Sequence, residues 1–131
     1  MAGTGQFNEV YPLFGTFTFL SSYTPGTAEN VTNLGGGPGR VDVLLATNAD
    51  TVAHVVHIKV IVGGTPNQIG DVNVPAGAGV GSVAPVDVLA AIMPSTQQGI
   101  VLPVGYDLAA VMSAAPGAGT YVTLAAFGGT L

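Results

Sequence analysis

The 131-residue chain contains no cysteine and no tryptophan, and it carries only two basic side chains, Arg40 and Lys59. The lack of cysteine excludes disulfide bonds, thiol chemistry and cysteine-ligated zinc, so stability must come from packing and backbone pairing. Two cations cannot form the cluster of Lys and Arg that neutralises nucleic-acid phosphates. We therefore expect no nucleic-acid partner.

Charged residues of both signs are scarce. They make up 7% of the chain, against about 25% in an average soluble domain. Hydrophobic residues make up 48%, and the formal net charge is −5. A free monomer usually covers itself with charged side chains, whereas a surface of Thr, Ala, Gly and Asn suits a subunit that partners cover. The composition thus favours a homo-oligomer or larger assembly over a monomer kept soluble by its net charge.

Long apolar runs are also absent. The best candidate for a membrane span, residues 52–62, is shorter than the roughly 20 apolar residues required, and it contains His54, His57 and Lys59. The N-terminal residues show no basic segment followed by an apolar one, so we predict no signal peptide. We expect either synthesis in the cytoplasm or a chain that has already been processed. We expect no membrane partner.

What the chain does contain is a succession of short Val- and Ile-rich runs between turn residues. The most informative stretch, residues 40–74, reads RVDVLLATNAD, TVAHVVHIKVIV and GGTPNQIGDVNV. Such runs, separated by Asn, Asp, Gly and Pro, predict an antiparallel meander of neighbouring strands. In the middle run the even positions from Val52 to Val62 are almost wholly apolar, so we predict that they face the core.

Further segments complete the predicted domain. We expect strands at 14–23, 105–113 and 119–128, the last two paired as a hairpin, and an edge segment at 99–104 that Pro103 interrupts. In the first of these strands, Phe17 and Phe19 share one face and Thr16 and Thr18 the other. Residues 24–39 are expected to form a long loop with one short strand at 31–32, and residues 75–85 a flexible connection.

The only helical pattern lies at residues 86–93. There Val88, Leu89, Ile92 and Met93 share one side, Asp87 lies in the first turn, and Pro94 ends the helix. Together the elements predict an all-β fold: an antiparallel β-sandwich, jelly-roll or immunoglobulin-like, with one short helix. We divide the chain into an N-terminal arm at 1–12 and a β-sandwich domain at 13–131.

No set of residues predicts a reaction, so we expect a non-enzyme with no catalytic residue, cofactor or metal. His54 and His57 are the only imidazoles. Residues three apart on a strand point to opposite faces, which prevents a shared metal unless a bulge intervenes. We expect His54 at the edge of the core, bonded to a backbone carbonyl, and His57 facing solvent or a partner. The five aspartates suit turns and caps, although sequence leaves a facing pair of catalytic carboxylates open.

The runs LLATNADTVAHVVHIKVIVGG, IGDVNVPAGAGV and APVDVLAA lie within about residues 41–93. This region resembles small structural proteins of tailed bacteriophages, most closely head decoration (cement) proteins and similar virion-surface proteins. The shared features are a strand ending in Thr-Asn, a hairpin into a His-bearing strand, a Gly-rich turn, a VPAGAG loop and a short PVD-LAA helix. No single residue carries over as a functional one.

The resemblance implies a β-sandwich on the outside of a phage capsid. It would bridge and stabilise subunits of the major capsid protein, as a homo-oligomer with a trimer favoured, on the virion surface after synthesis in the host cytoplasm. The alternative is a carbohydrate- or host-surface-binding sandwich of a phage tail or cell surface. That alternative requires an exposed aromatic platform, which Tyr11, Tyr23, Tyr106 and Tyr121 could form by lying on one patch.

Overall fold

A computed structural model describes residues 13–34, 37–93 and 99–131 as two packed β-sheets. The first sheet contains β1 (Leu13–Leu20), β3 (Gly39–Asn48), β6 (Val86–Asp87), β7 (Ile100–Leu102) and β9 (Tyr121–Thr130). The second contains β2 (Glu29–Asn30), β4 (His54–Val62), β5 (Thr65–Val74) and β8 (Tyr106–Met112), and the helix α1 (Val88–Ile92) follows β6. The predicted arm at 1–12 and the predicted helix stop at Pro94 lie outside the described residues.

The chain winds through the two sheets as a roll. β1 pairs with β9, β2 with β8, β3 with both β6 and β7, and β4 with β5, all antiparallel. The first and last strands are therefore neighbours, and each following pair lies one step further inward along the chain. This is the strand order of a jelly roll. The predicted all-β sandwich with one short helix is confirmed, and the jelly roll is the architecture that forms.

The core lies between the inner faces of the two sheets, because alternate side chains of each strand point inward. The largest fully buried side chains come from both sheets and include Phe19, Leu44, Leu124, Ile58, Leu108 and Met112. In β4 the predicted inner positions His54, Val56 and Ile58 are buried. Val52 precedes the strand and is 55% exposed, so its predicted place in the core is wrong.

Two predicted hairpins are wrong. β3 and β4 lie in different sheets, and so do β8 and β9. Their connections, residues 49–53 and 113–120, cross from one sheet to the other, which places the inner faces of the joined strands against each other across the core. Only β4 and β5 form the predicted hairpin. Its turn is Gly63-Gly64, whose φ angles of 58° and 85° favour glycine.

Smaller differences concern where elements begin. The short strand predicted at 31–32 forms at Glu29–Asn30. The predicted helix begins two residues late, because Val86 and Asp87 pair with β3 as β6. Asp87 instead caps α1, since its Oδ1 accepts the N–H of Ala90 at 3.2 Å. Within 75–85, Ala78 is buried and its carbonyl accepts the N–H of Asn48 at 2.8 Å.

Gly128 and Gly129 provide a matched test of the packing between β9 and β3. A β-carbon at Gly128 would collide with the backbone carbonyl oxygen of Arg40, whereas one at Gly129 would meet no atom. Because backbone atoms cannot turn aside, we expect Gly128→Ala to lower the free energy of unfolding by about 1–3 kcal/mol. Gly129→Ala should leave it unchanged or raise it by up to about 1 kcal/mol. Urea denaturation measures both, and equal losses would contradict this packing.

Candidate functional site

The outer face of the first sheet carries no charged side chain on β1, on β9 or on β3 from Val43 onward; Arg40 and Asp42 lie near the start of β3. Strand register aligns Thr18 of β1 with Thr123 of β9, and Thr123 with Thr47 of β3. The Thr18 and Thr123 hydroxyls are 3.0 Å apart and hydrogen-bonded. We call the whole set the uncharged face; its members, each exposed or half-buried, are Leu13, Thr16, Thr18, Leu20, Val43, Leu45, Thr47, Tyr121, Thr123, Ala125 and Phe127.

Among the described residues, the charged side chains on the outer side of the first sheet lie around the rim of the uncharged face and not within it. Arg40 is the second residue of β3 and pairs with Asp42, with 2.7 Å between Arg40 Nε and Asp42 Oδ1. Asp87 is opposite Leu45, on the short strand β6. An apolar or hydroxyl-bearing centre inside a polar rim is the typical composition of a protein–protein interface.

The outer face of the second sheet is polar and carries titratable groups. His57 Nδ1 lies 2.6 Å from Asp71 Oδ1, and Gln68 donates to the same oxygen at 2.8 Å. Lys59 lies on this face too, opposite Gln68. His57 is therefore on an outer face, as expected from the strand alternation. The two outer faces of the sandwich thus differ sharply in charge.

Asp50 and His54 form a buried pair where the chain crosses between the sheets. Both side chains are 7% exposed, and His54 Nε2 lies 2.8 Å from Asp50 Oδ2. The same oxygen accepts the Gly117 N–H at 3.0 Å, and Oδ1 accepts the Thr51 N–H at 2.6 Å. Asp50 therefore ties residues 49–53 to residues 113–120, the two crossing connections. The predicted carbonyl partner of His54 is wrong, because the imidazole contacts a carboxylate.

Asn48 completes this buried network. Its side-chain amide donates to the carbonyls of Val52 at 2.9 Å and Val74 at 3.1 Å. Its carbonyl oxygen accepts the Asp50 N–H at 2.8 Å, which is an Asx turn. The sequence pattern indicated a turn here but did not predict that its polar side chains are buried. The only feature that could have indicated the network is the spacing of Asn48, Asp50 and His54.

The geometry of this network suits a structural role. An Asp–His pair becomes hydrolytic when a nucleophilic hydroxyl bonds the other side of the imidazole. In the described part of the chain His54 bonds only to Asp50, and no Ser or Thr hydroxyl reaches it. No group of three metal-ligating side chains occurs in residues 13–34, 37–93 and 99–131 either. His54 and His57 point to opposite faces of β4.

An open depression of about 310 Å³ lies beside β1, lined by Phe17, Thr18, Leu20, Ser22, Tyr23, Thr24, Thr27 and Glu29. Tyr23 is 9% exposed, donates to the Thr27 carbonyl at 2.5 Å and accepts the Met112 N–H at 3.1 Å. Tyr106 lies at the other end of β8 from Met112, and Tyr121 lies on the uncharged face. These three tyrosines do not share one exposed patch, and Tyr11 lies outside the described residues.

Comparisons with protein-family models, with curated proteins and with solved structures gave no significant match. The likeness to phage head decoration proteins therefore stays a prediction. Among the helical residues that the structure describes, no segment has the length and apolarity needed to cross a bilayer.

The hydrogen bonds that the Asp50 carboxylate accepts lower its pKa. The His54 hydrogen bond contributes most and the Gly117 N–H next, and against the opposing effect of burial they lower the pKa of Asp50 from 3.8 to about 2. A carboxyl whose folded-state pKa is depressed stabilises the fold above its unfolded-state pKa. That contribution is lost as the pH falls through the folded-state value.

Asp50→Asn should therefore unfold at lower urea concentration than the native chain at neutral pH. The gap should narrow as the pH falls from 3.8 to about 2, because over that window the unfolded chain binds a proton on this carboxyl while the folded carboxylate stays largely ionised. Asp71→Asn is the control: it makes the same change beside a histidine on an exposed face, where a pair contributes at most about 1 kcal/mol. A gap for Asp50→Asn that stays constant down to the lowest pH would contradict the assigned role.

Proposed function

We propose that this chain is a non-enzymatic structural protein of a virion, which binds the outside of a phage capsid and bridges and stabilises subunits of the major capsid protein. The observation that carries the proposal is the uncharged face. Burying aliphatic and aromatic groups there gains about 25 cal/mol per Å² of apolar area. Burying this face does not require any charged group to lose its hydration at the centre of the contact. Dehydration is the free-energy cost that makes charged surfaces unfavourable to bury.

The charge difference between the two outer faces gives the proposal an orientation. The uncharged face lies against the capsid, and the second sheet, with His57, Lys59 and Asp71, faces solvent. A subunit that contacts two capsid subunits binds the shell more tightly than either contact alone would allow. Once the first contact has formed, it raises the effective concentration of the subunit at the second contact. Stabilisation of the shell then requires no catalytic group.

The jelly roll and the sequence resemblance support the same proposal by analogy. Jelly-roll domains occur in viral capsid proteins and in lectins, and a fold by itself does not determine function. The resemblance to decoration proteins adds a homo-oligomer, with a trimer favoured, on the capsid surface of a virion made in the host cytoplasm. The proposed partners are proteins, with neither nucleic acid nor membrane among them.

Thr123→Lys tests the proposed docking face, because it places a cation at the centre of the uncharged face. We expect the native chain to co-sediment with capsids assembled from the major capsid protein of the same virus. Thr123→Lys should bind at least about tenfold more weakly, since the buried ammonium loses its hydration without a partner. Asn73→Lys is the matched control: Asn73 is exposed, and it lies on the outer face of the second sheet.

Urea denaturation must first show that both Lys variants fold as stably as the native chain. Native binding that Asn73→Lys preserves and Thr123→Lys loses supports both the function and the orientation. Loss on Asn73→Lys alone would contradict the orientation. A native chain that never co-sediments with these capsids would contradict the proposed function.

A second candidate function is a carbohydrate- or host-surface-binding module, and the depression beside β1 is the observation that favours it. Its lining combines the Phe17 ring, several hydroxyls and the Glu29 carboxylate, groups that recognise sugars. A glycan array would detect this function. We would then expect Glu29→Gln to abolish the signal while leaving capsid binding unaffected, because Glu29 is not part of the uncharged face.

A further inference from the structure

We infer that the outer edge of β1 is a self-association site, where a second copy of this chain pairs its own β1 antiparallel about a twofold axis. The inference concerns the purified protein, so it stands or falls independently of capsid binding. A strand at an edge exposes unpaired N–H and C=O groups, and soluble proteins usually prevent edge-to-edge pairing by shortening, charging or covering such strands.

The other edges of the two sheets carry such protection. In the second sheet, β2 has only two residues, one of them Glu29. β5 at the opposite edge contains Pro66 and Asp71, has a bulge at Ile69, and lies against α1. In the first sheet, β6 and β7 have two and three residues, and Pro103 follows β7.

β1 lacks these devices. It is eight residues long, and its sequence LFGTFTFL contains no charge and no proline. Among the described strands it pairs with β9 alone, and within residues 13–34, 37–93 and 99–131 no strand pairs with its other edge. Its only irregularity lies at the start, between Leu13 and Gly15. The remaining stretch from Gly15 to Leu20 is regular, and at about 3.3 Å per residue it is long enough to receive another strand.

The sequence of β1 is compatible with pairing to itself. Antiparallel partners must point to the same face, so a twofold pair must centre on a residue of the regular stretch. Centring it on Thr18 places Phe17 opposite Phe19 of the second copy on the inner face, and Thr16 opposite Leu20 on the outer face. Aromatic and hydroxyl–aliphatic cross-strand pairs are favourable, and no like charges meet. Each chain carries a net charge of −5, but none of it lies on β1.

The pairing would join the two first sheets into one continuous sheet across the axis. The uncharged faces of both copies would then form one surface of twice the area. An interface of a single strand pair lies at the small end of the range for specific association, so we expect a dimer that dissociates on dilution. Within the proposed trimers, such a contact would link copies that belong to neighbouring trimers.

Thr18→Lys and Thr123→Lys distinguish dimerisation through the edge of β1 from dimerisation through the uncharged face. The two threonines share the uncharged face and one hydrogen bond, so both variants lose the same contact. Thr18 would lie on the axis, where two Lys side chains oppose each other and weaken dimerisation by at least about tenfold. Thr123 lies one strand further in, about 14 Å from its copy, beyond the Debye length. Sedimentation velocity at increasing protein concentration should show dimers for the native chain and Thr123→Lys, and monomers for Thr18→Lys.

Cysteine substitutions test the register, because the chain has no cysteine of its own. Under mild oxidation Thr18→Cys should give a covalent dimer, since directly opposed strand residues lie within disulfide reach. Thr123→Cys should stay uncrosslinked. Three results would overturn the inference: a native chain that is monomeric at its highest soluble concentration, equal dissociation by both Lys variants, or a folded Thr18→Cys that does not cross-link. Urea denaturation confirms folding of each variant.

Discussion

The structure depends on one constraint, which is that the inner faces of two sheets must cover each other. A chain that meets this constraint has to cross repeatedly between sheets, and each crossing takes backbone polar groups close to the core, where an unpaired N–H or C=O is costly. The buried carboxylate of Asp50 satisfies a backbone N–H group in each of two crossing connections, because it accepts hydrogen bonds from Thr51 and Gly117. Asn48 and His54 complete the network. A His and an Asp side by side thus serve the fold.

The local pattern of the chain predicted where strands lie but not which strands pair. Alternation located β1, β4 and β9, and the inner face of β4, because side-chain direction depends only on neighbouring residues. Turn residues such as Asn, Asp, Gly and Pro are equally compatible with a hairpin and with a crossing between sheets. The choice is made by contacts far apart in sequence, such as the bond between Asp50 and Gly117, 67 residues apart. No local rule contains that information.

The sequence predicted that the candidate site is an uncharged surface, but it did not predict where on the fold that surface lies. The scarcity of charge indicated a surface that partners cover, and the alternation of Thr16 and Thr18 with Phe17 and Phe19 predicted that β1 has one aromatic and one hydroxyl-bearing side. The uncharged face exists only because β1, β9 and β3 are neighbours, which follows from the roll and could not be read from any one segment. The same pairing leaves β1 at an edge. Face and edge are therefore both products of the topology.

In the proposed function the two outer faces have different tasks, with the uncharged face against protein and the charged face against water. The most direct measurement is a three-dimensional map of capsids carrying this chain. We expect density for the jelly roll on the outer surface, with the strands β1, β9 and β3 against the shell and the His57–Asp71 pair toward solvent. A map in which the second sheet contacts the shell, or in which saturated capsids show no added density, would contradict this expectation.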